Sequence, residues 1–405
     1  MVRLLFVLDA VEAPAAANPR LGRRLAGALA AAGHDVTVLE LWDGRTPPPA
    51  VPGCAQQALA FAGEAAMEKA LEGGAAGGSP LPLRLLRLAA HPAAVEAAVR
   101  QFVLRRPRRV TGTRRAIERL DAETPFDAVC AVAAPYRAAF ALEGADIRGK
   151  KLLWQMDPYA ANETYAAPGG YDRERQLLGA MDRVYITQQA AADFAPGGPL
   201  AALAPRAQVL AFPSLVPPAE TGSAVQPQSC VFCGTLYRKL REPSALLALF
   251  AALGGGWTLT MAGGGWEAFA PARAQAEAAL GPRLQILGPV PPARAAALEA
   301  QAGVLVSIGN AAANQVPSKL FEYAAAGKPV LHLSAGENDA ALPYLARWPL
   351  ALCVPPGEPA RQAALVRPWL EQTAGKVLPF AQAAACFPEF TPEAVAQDFL
   401  RGLGG

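Results

Sequence analysis

The stretch NQVPSKLFEYAAAGKPVLHLS, residues 314–334, decides the fold of the second half of this 405-residue chain. Pro317 suits the first turn of a helix, where its missing N–H costs nothing. Gly327 and Pro329 end that helix and lead into an apolar strand. The apolar run VLVSI, residues 304–308, predicts a strand before the helix. This order predicts a parallel β-α-β unit with a right-handed crossover.

The start of the predicted helix has the features of an anion-binding site. Ser318, Lys319 and Leu320 offer free amide protons at the helix N-terminus, where the helix dipole favours negative charge. Lys319 adds a full positive charge for a phosphate. Glu322 follows about one turn later, and its carboxylate can accept two hydrogen bonds from the cis-diol of a ribose. The sequence therefore predicts a site for a nucleoside diphosphate.

The loop before this helix, GNAAAN, contains only small or amide-bearing residues. Such residues suit a loop that touches a ligand. We therefore expect Asn310 and Asn314 to contact the bound nucleotide or its substituent.

Strands and helices alternate through both halves of the chain. RLLFVLD, residues 3–9, and DVTVLEL, residues 35–41, are predicted strands, and Asn18 is the predicted cap of the helix between them. Residues 55–120 are predicted to be mainly helical. The sequence thus predicts an α/β fold of two Rossmann-like, doubly wound domains facing a central cleft.

A proline-rich segment, PSLVPPAETGSAVQPQS, separates the two halves and predicts a hinge. We expect a first domain at 1–215, the hinge at 216–229, a second domain at 230–385 and a helix at 386–405 that crosses back onto the first domain.

Composition excludes several classes of protein. Hydrophobic residues make up 52% and charged residues 18% of the chain, enough for two cores and too apolar for wholesale disorder. The first apolar run predicts a buried strand rather than a signal peptide.

Six cysteines do not make a disulfide framework in so long a chain, which favours a cytoplasmic location. Cys230 and Cys233 fall on opposite faces of a predicted strand, so core packing is favoured over a zinc site.

The net charge of +3 conceals one basic stretch, Arg100–Arg119, with eight arginines against Glu118. It predicts either an ordinary solvated helix face or a peripheral contact with anionic lipid head groups. No helix-turn-helix, zinc-finger or stacking-aromatic pattern accompanies the arginines, which argues against nucleic acid.

Together these motifs resemble the donor-binding half of the GT-B glycosyltransferases, specifically the retaining family-4-like enzymes (glycosyl transferases group 1). PSKLFEYAAAGKPV, preceded by GVLVSIGN and ILGPVPPAR, carries the resemblance. It implies a donor bound mainly by the second domain, an acceptor bound by the first, and no separate cofactor. The donor would be a UDP- or GDP-sugar, the acceptor a saccharide or a lipid-linked acceptor, and the pathway cell-surface polysaccharide or glycoconjugate synthesis.

The resemblance also assigns residues around the α-helical motif. Glu322 matches the glutamate that holds the ribose, and Ser318 and Lys319 match the diphosphate end of the helix. Gly288 to Val290 match the turn whose backbone meets the base. Asn314 stands where many relatives carry a glutamate that contacts the sugar; an amide can bind hydroxyl groups but cannot stabilise positive charge at the anomeric carbon.

A second loop, CGTLYRKLREP, matches the glycine-then-basic loop that neutralises the leaving diphosphate. Gly234 is its glycine, and Thr235 stands where an arginine usually follows. Arg238, Lys239 and Arg241 all remain open as the phosphate cation.

For the chemistry, a helix N-terminus and two or three cations can stabilise a leaving diphosphate without a metal. No D-x-D motif or cluster of histidine with carboxylates is evident, so we expect a metal-independent enzyme. Asp157, after the predicted strand KLLWQM, is the candidate polar group facing the acceptor and the anomeric centre; a turn former before Pro158 is the alternative.

The sequence also bears on three other functions. A sugar-nucleotide epimerase of the same architecture needs acid and base side chains at the sugar, and these are scarce. A non-catalytic nucleotide-sugar binding protein fits Thr235 and Asn314, which replace charged residues. A nicotinamide dehydrogenase is excluded because no G-x-G-x-x-G follows the first strand.

Overall fold

The computed structural model describes residues 1–11, 17–45, 47–71, 81–104, 108–161, 167–218, 224–311, 316 and 319–404. The chain divides into two compact units: Met1–Pro213 together with Pro392–Gly405, and Ser214–Thr391. Each is described by itself below.

The first unit contains a parallel sheet. Its described strands are β1 (Arg3–Asp9), β2 (Asp35–Trp42), β3 (Ala55–Ala60), β4 (Ala128–Ala133), β5 (Lys150–Gln155), β6 (Arg183–Ile186) and β7 (Ala207–Val209). They lie in the order β3-β2-β1-β4-β5-β6-β7. Strand order reverses between β1 and β4, and ligands of open α/β sheets usually bind at the carboxyl ends of strands flanking such a point.

Helices cover both faces of this sheet. Those described are α1 (Ala17–Ala31), α2 (Ala62–Leu71), α3 (Leu81–Ala89), α4 (Pro92–Ala98), α5 (Arg108–Glu123), α6 (Arg137–Glu143), α7 (Gly170–Gly179), α8 (Ala191–Phe194) and, from the end of the chain, α16 (Pro392–Gly404). Alternate residues of β1 point to opposite faces. Phe6 therefore packs with Leu25 of α1 and Phe399 of α16, whereas Val7 packs with Ile117 of α5.

The C-terminal helix α16 belongs to the first unit. The Phe399 ring stacks on Tyr185 with ring centroids 4.6 Å apart. Lys150 Nζ donates to the Leu403 carbonyl at 2.8 Å, and Arg183 Nε donates to the Gly402 carbonyl at 3.0 Å. These two bonds satisfy carbonyl groups that a helix end leaves without partners, so α16 is fixed by both packing and polar contacts.

The second unit repeats the design. Its described strands are β8 (Gln226–Cys233), β9 (Thr258–Ala262), β10 (Leu284–Gly288), β11 (Ala302–Ile308), β12 (Val330–Leu333) and β13 (Ala351–Val354). They pair in parallel in the order β10-β9-β8-β11-β12-β13. The described helices are α9 (Ser244–Leu253), α10 (Ala270–Leu280), α11 (Pro292–Gln301), α12 (Lys319–Ala325), α13 (Leu342–Leu345), α14 (Pro359–Thr373) and α15 (Phe380–Cys386). Here the strand order reverses between β8 and β11.

The predicted α/β class with two doubly wound units and a C-terminal helix on the first unit is confirmed. Three local expectations need correction. Ala55–Ala60 is an edge strand rather than part of a helical region, because its backbone pairs with β2. Strand β8 begins at Gln226, within the segment predicted as hinge. Asn18 lies inside α1 rather than before it, and its side chain bonds elsewhere.

The cysteines are free thiols. Cys230 and Cys233 are buried in β8, and burial raises the pKa of Cys233 to about 12, so this thiol stays protonated at neutral pH. Core packing, as the sequence predicts, explains both. Within the described ranges, no helix has the length and apolar character needed to cross a bilayer.

Candidate functional site

The central pair of strands in the second unit, β8 and β11, carries the core of the candidate site. Arg241, in the loop after β8, donates from Nε at 3.1 Å and from Nη2 at 2.9 Å to Asn310 Oδ1, in the loop after β11. Arg241 Nη1 lies 3.4 Å from the Thr235 carbonyl. A backbone hydrogen bond from Ala311 to Leu240 also joins the loops. One guanidinium is thus fixed at the point where strand order reverses.

Burial lowers the pKa of Arg241 from its ordinary value, but a guanidinium stays charged in proteins. The two other cations of this loop are placed differently. Arg238 is exposed and donates to the Ala268 carbonyl at 3.0 Å. Lys239 is also exposed, has a left-handed backbone with φ of 64°, and its amide donates to Glu242. Arg241 is therefore the partly buried cation of the three.

Close backbone contacts hold the neighbouring loops. The Gly234 amide donates to the Ala262 carbonyl at 2.9 Å, and the Gly263 amide donates to the Gly288 carbonyl at 2.7 Å. A Cβ at Gly263 would lie 1.9 Å from the Gly234 carbonyl oxygen, so only glycine fits there. Val290 follows, half-buried. The carboxyl ends of β8, β9 and β10 thus form one backbone-linked edge.

Part of the predicted helix motif lies outside the described residues, namely Asn314, Pro317 and Ser318. Of the remainder, the Leu320 side chain is buried in the core, and Glu322 is partly buried within the first turn of α12. The assignment of Glu322 to a ribose stays a prediction.

Lys319, the expected phosphate cation, forms an ion pair with Glu299 of α11. Its ammonium also lies 5.7 Å from the centroid of the Tyr323 ring. Tyr323 is buried; burial raises the pKa of its phenol, which hydrogen-bonds the Cys233 backbone at the end of β8. The sequence gives no sign of this role for Glu299, because nothing in an alanine-rich helix shows that its acid will meet a lysine 20 residues away.

A buried polar cluster lies at the carboxyl ends of β11 and β12. His332 Nδ1 is 3.0 Å from Ser307 Oγ, and His332 Nε2 is 2.9 Å from Asp339 Oδ2. Asp339 also accepts hydrogen bonds from the Ala335 and Ala341 amides. Burial alone would raise the pKa of Asp339, but these bonds lower it below its ordinary value. Nothing in the sequence around His332 indicates that Ser307 and Asp339 are its partners.

In the first unit, Asp157 lies after β5, near the strand-order reversal. Asn18 of α1 donates from Nδ2 to Asp157 Oδ2 at 3.0 Å and to the Ala134 carbonyl at 3.0 Å. The Tyr136 hydroxyl donates to the Asp157 carbonyl at 2.6 Å. Helix α1 and the loops after β4 and β5 thus meet around Asp157. Burial raises its pKa above the ordinary value, and the bond from Asn18 offsets part of that rise.

A fully buried carboxylate, Glu174, supports the Asp157 loop. It accepts hydrogen bonds from Gln155 Nε2 at 2.6 Å and from the Tyr159 and Ala160 amides, both at 3.0 Å. Gln155 also bonds the Tyr136 hydroxyl at 2.8 Å. This network fixes the segment on both sides of Asp157. The spacing of Tyr136, Gln155 and Glu174 in the sequence gives no sign of this hydrogen-bond network.

The basic stretch is not a single surface. Arg109 is fully buried, with Nη1 3.6 Å from Asp9 Oδ1 at the end of β1. Arg100, Arg108 and Arg115 are exposed. The expectation of one solvated arginine face is therefore wrong at Arg109. Across the described part of the chain, no group of three or more His, Cys, Asp or Glu side chains is placed to hold a metal ion.

This architecture, two doubly wound units with the last helix on the first, is the GT-B fold. Sucrose-phosphate synthase from Thermosynechococcus elongatus matches with a TM-score of 0.61 and 18% identity, over 98% of both chains. HepE from Anabaena, solved with UDP and glucose, matches with a TM-score of 0.63 and 13% identity over 100% of both. The lipopolysaccharide outer core galactosyltransferase WaaB matches with a TM-score of 0.51 and 13% identity over 99% of both. No family model matches the sequence, and no curated protein is significantly similar to it.

Proposed function

We propose that this chain is a glycosyltransferase that moves a sugar from a nucleoside-diphosphate sugar to an acceptor. The observation that supports it is the guanidinium of Arg241, held by Asn310 where strand order reverses in the second unit. Negative charge develops on the leaving diphosphate as the glycosidic C–O bond breaks. A preorganised cation at that position lowers the energy of the transition state.

Each predicted group takes one role in this proposal. Arg241 and Lys319 neutralise the diphosphate, and Glu322 binds the ribose. Asp157, in the first unit, meets the acceptor. The acceptor hydroxyl loses its proton to a phosphate oxygen of the leaving group as the new glycosidic bond forms on the same face of the sugar. The anomeric configuration is therefore retained.

We propose UDP as the nucleotide, because HepE was solved with UDP and UDP-glucose. We place the reaction in cell-surface polysaccharide or glycoconjugate synthesis, because WaaB is a lipopolysaccharide outer core galactosyltransferase. Competition by UDP and GDP for the same donor tests the first point; stronger inhibition by GDP would overturn it.

The test is release of nucleoside diphosphate from a panel of UDP- and GDP-sugars, with and without saccharide acceptors. Acceptor-dependent release supports transfer. Interconversion of the sugar without an acceptor would instead show an epimerase, and thermal stabilisation by the donor without turnover would show a binding protein. Product stereochemistry by NMR tests retention, and activity in EDTA tests metal independence.

Glu322→Ala tests the nucleotide site itself. We expect it to weaken donor binding severely while the fold is kept, since the carboxylate is the proposed partner of two ribose hydroxyls. Calorimetry measures the affinity, and circular dichroism checks the fold. Unchanged donor affinity in this variant would show that Glu322 does not bind the nucleotide.

A further inference from the structure

An apolar surface stands out on the first unit. Of the fourteen large hydrophobic side chains that are exposed among the described residues, nine lie between Leu81 and Leu104. They are Leu81, Leu83, Leu85, Leu86, Val95, Val99, Phe102, Val103 and Leu104. We call these residues, with the arginines among them, the apolar–basic surface. So dense a group of exposed apolar side chains marks an interaction site on a globular domain.

The helices that carry this surface are attached to the unit by a small inner cluster. Ala94 and Ala97 of α4 are buried against Met67 of α2, and Leu88 of α3 packs on the same cluster. None of the nine residues of α3, all described, is buried. The leucines of α3 other than Leu88 therefore face solvent, although the helices themselves are held in place.

The charge of the surface is positive. Between Leu81 and Leu104, where every residue is described, three arginines stand against one acid. Arg87 and Arg100 are exposed, and Glu96, the acid, pairs with Arg100 at 2.9 Å. Helix α5 then begins with the exposed Arg108. Leucine and phenylalanine beside exposed arginine is the pattern of helices that lie in the interface of anionic membranes.

We propose that the apolar–basic surface seats the first unit on a bilayer containing anionic lipids. The exposed leucines and Phe102 enter the boundary between head groups and acyl chains, and the arginines contact lipid phosphates. A membrane fits better than a protein partner, because the surface is aliphatic and cationic, whereas the cores of protein interfaces are enriched in tyrosine and tryptophan and depleted of charge. A second copy fits poorly too, since two surfaces of the same sign repel each other.

This surface differs from the arginine stretch that the sequence singled out. Its apolar part, from Leu81 to Leu104, mostly precedes those arginines, and Arg109 is buried away from it. The inference is independent of the proposed sugar transfer, because membrane binding needs neither Arg241 nor Asp157.

The test uses the full chain and sedimentation with vesicles. Vesicles of phosphatidylcholine alone are compared with vesicles of equal parts phosphatidylcholine and phosphatidylglycerol. We expect binding to the mixed vesicles, weakened by salt, and little binding to the neutral ones. Absence of binding to the anionic vesicles would overturn the proposal.

Two variants locate the contact. Leu86 and Phe102 are 70% and 60% exposed, so the double variant Leu86→Asp, Phe102→Asp should fold, and we expect it to reduce vesicle affinity by about tenfold or more. Leu365→Asp, at a 46% exposed leucine of α14 in the second unit, is the matched control and should bind normally. Equal binding by the double variant and wild type, or an equal loss in the control, contradicts the assignment.

Two further measurements separate the explanations. Arg87→Ala with Arg100→Ala should weaken binding to anionic vesicles and flatten its salt dependence; no change would contradict the role of the arginines. If sedimentation velocity shows that wild type dimerises and the double variant is monomeric, with no vesicle binding by either, the surface is an interface between copies and the proposal fails. Release of nucleoside diphosphate with a soluble acceptor should be normal in the double variant, so failure of the membrane proposal leaves the proposed function standing.

Discussion

The side-chain amide of Asn18 donates a hydrogen bond of 3.0 Å to the carboxylate of Asp157, joining α1 to the loop after β5. Burial raises the pKa of this carboxyl group, whereas the bond from Asn18 stabilises its charged form. The two residues therefore set the pH at which Asp157 becomes charged.

If ionised Asp157 is needed for transfer, the acid limb of the pH–rate profile should lie above the ordinary aspartate value of about 4. Asn18→Ala removes a donor to the carboxylate, so the limb should move to higher pH. The measurement is kcat/KM for the donor against pH. Asp157→Asn is the control and should lose both the limb and most of the activity. If the acid limb of the pH–rate profile stays at the same pH in Asn18→Ala, ionisation of Asp157 does not control the rate of transfer.

Arg241 should matter far more than Arg238. Loss of one preorganised group that stabilises transition-state charge typically costs about 10²–10³-fold in rate, and we expect a loss of that size in kcat/KM for Arg241→Ala. Arg238→Ala is the matched control, because Arg238 is exposed and, in the described structure, donates its side-chain hydrogen bond to the Ala268 carbonyl. Comparable losses of kcat/KM in the two variants would show that the fixed, partly buried position of Arg241 does not make it the main cation for the diphosphate.

Glu299 should oppose nucleotide binding. It holds the ammonium of Lys319, and a diphosphate must compete for that charge. We expect Glu299→Gln to tighten UDP binding by about two- to fivefold, the range for a partly exposed ion pair. Calorimetry measures the dissociation constant. Glu277→Gln, which breaks the exposed pair with Arg273 in the same unit, should leave affinity unchanged. Weaker UDP binding in Glu299→Gln would mean that the glutamate instead orients the lysine.

Asp339 should make the second unit sensitive to acid. Its pKa is lower in the folded chain than in the unfolded chain, so its contribution to the free energy of unfolding is present above the unfolded value of about 4. That contribution is lost as the pH falls through the folded value. Asp339→Asn should therefore be less stable at neutral pH and show a flatter decline in acid.

Urea unfolding from neutral pH into the acid range measures this effect. Glu358→Gln, at an exposed carboxylate, is the control and should follow wild type. If the free energy of unfolding falls with pH in parallel for Asp339→Asn and wild type, the buried cluster around Asp339 is not the source of the acid sensitivity.

Phe399 should anchor the C-terminal helix. Its ring contacts Tyr185 and Phe6, with centroids 4.6 Å and 5.5 Å away. Phe399→Ala leaves a cavity and should cost about 3–5 kcal/mol. Amide hydrogen exchange measures this loss of stability. We expect faster exchange in β6 and unchanged exchange in the second unit. Arg401→Ala, two residues after Phe399 in α16 and exposed, should exchange like wild type; equal protection in both variants would contradict the anchoring role.

The order of strands and helices was readable from the sequence because apolar periodicity and glycine or proline boundaries act locally. The apolar run at Arg3–Asp9 matches β1 residue for residue, and the run at 304–308 ends at the last residue of β11. The edge strand Ala55–Ala60 was not readable, because alanine and glutamine have no strong strand preference and only pairing with β2 holds it extended.

The sequence by itself determined the doubly wound class and the candidate residues, since each depends on neighbours along the chain. Only the tertiary structure decided that Arg241 meets Asn310, that Glu299 holds Lys319 and that Asn18 meets Asp157. Each of these pairs joins loops or helices that lie 20 or more residues apart in the chain. Their contact depends on strand order and on the length of each crossover, which local residue patterns do not encode.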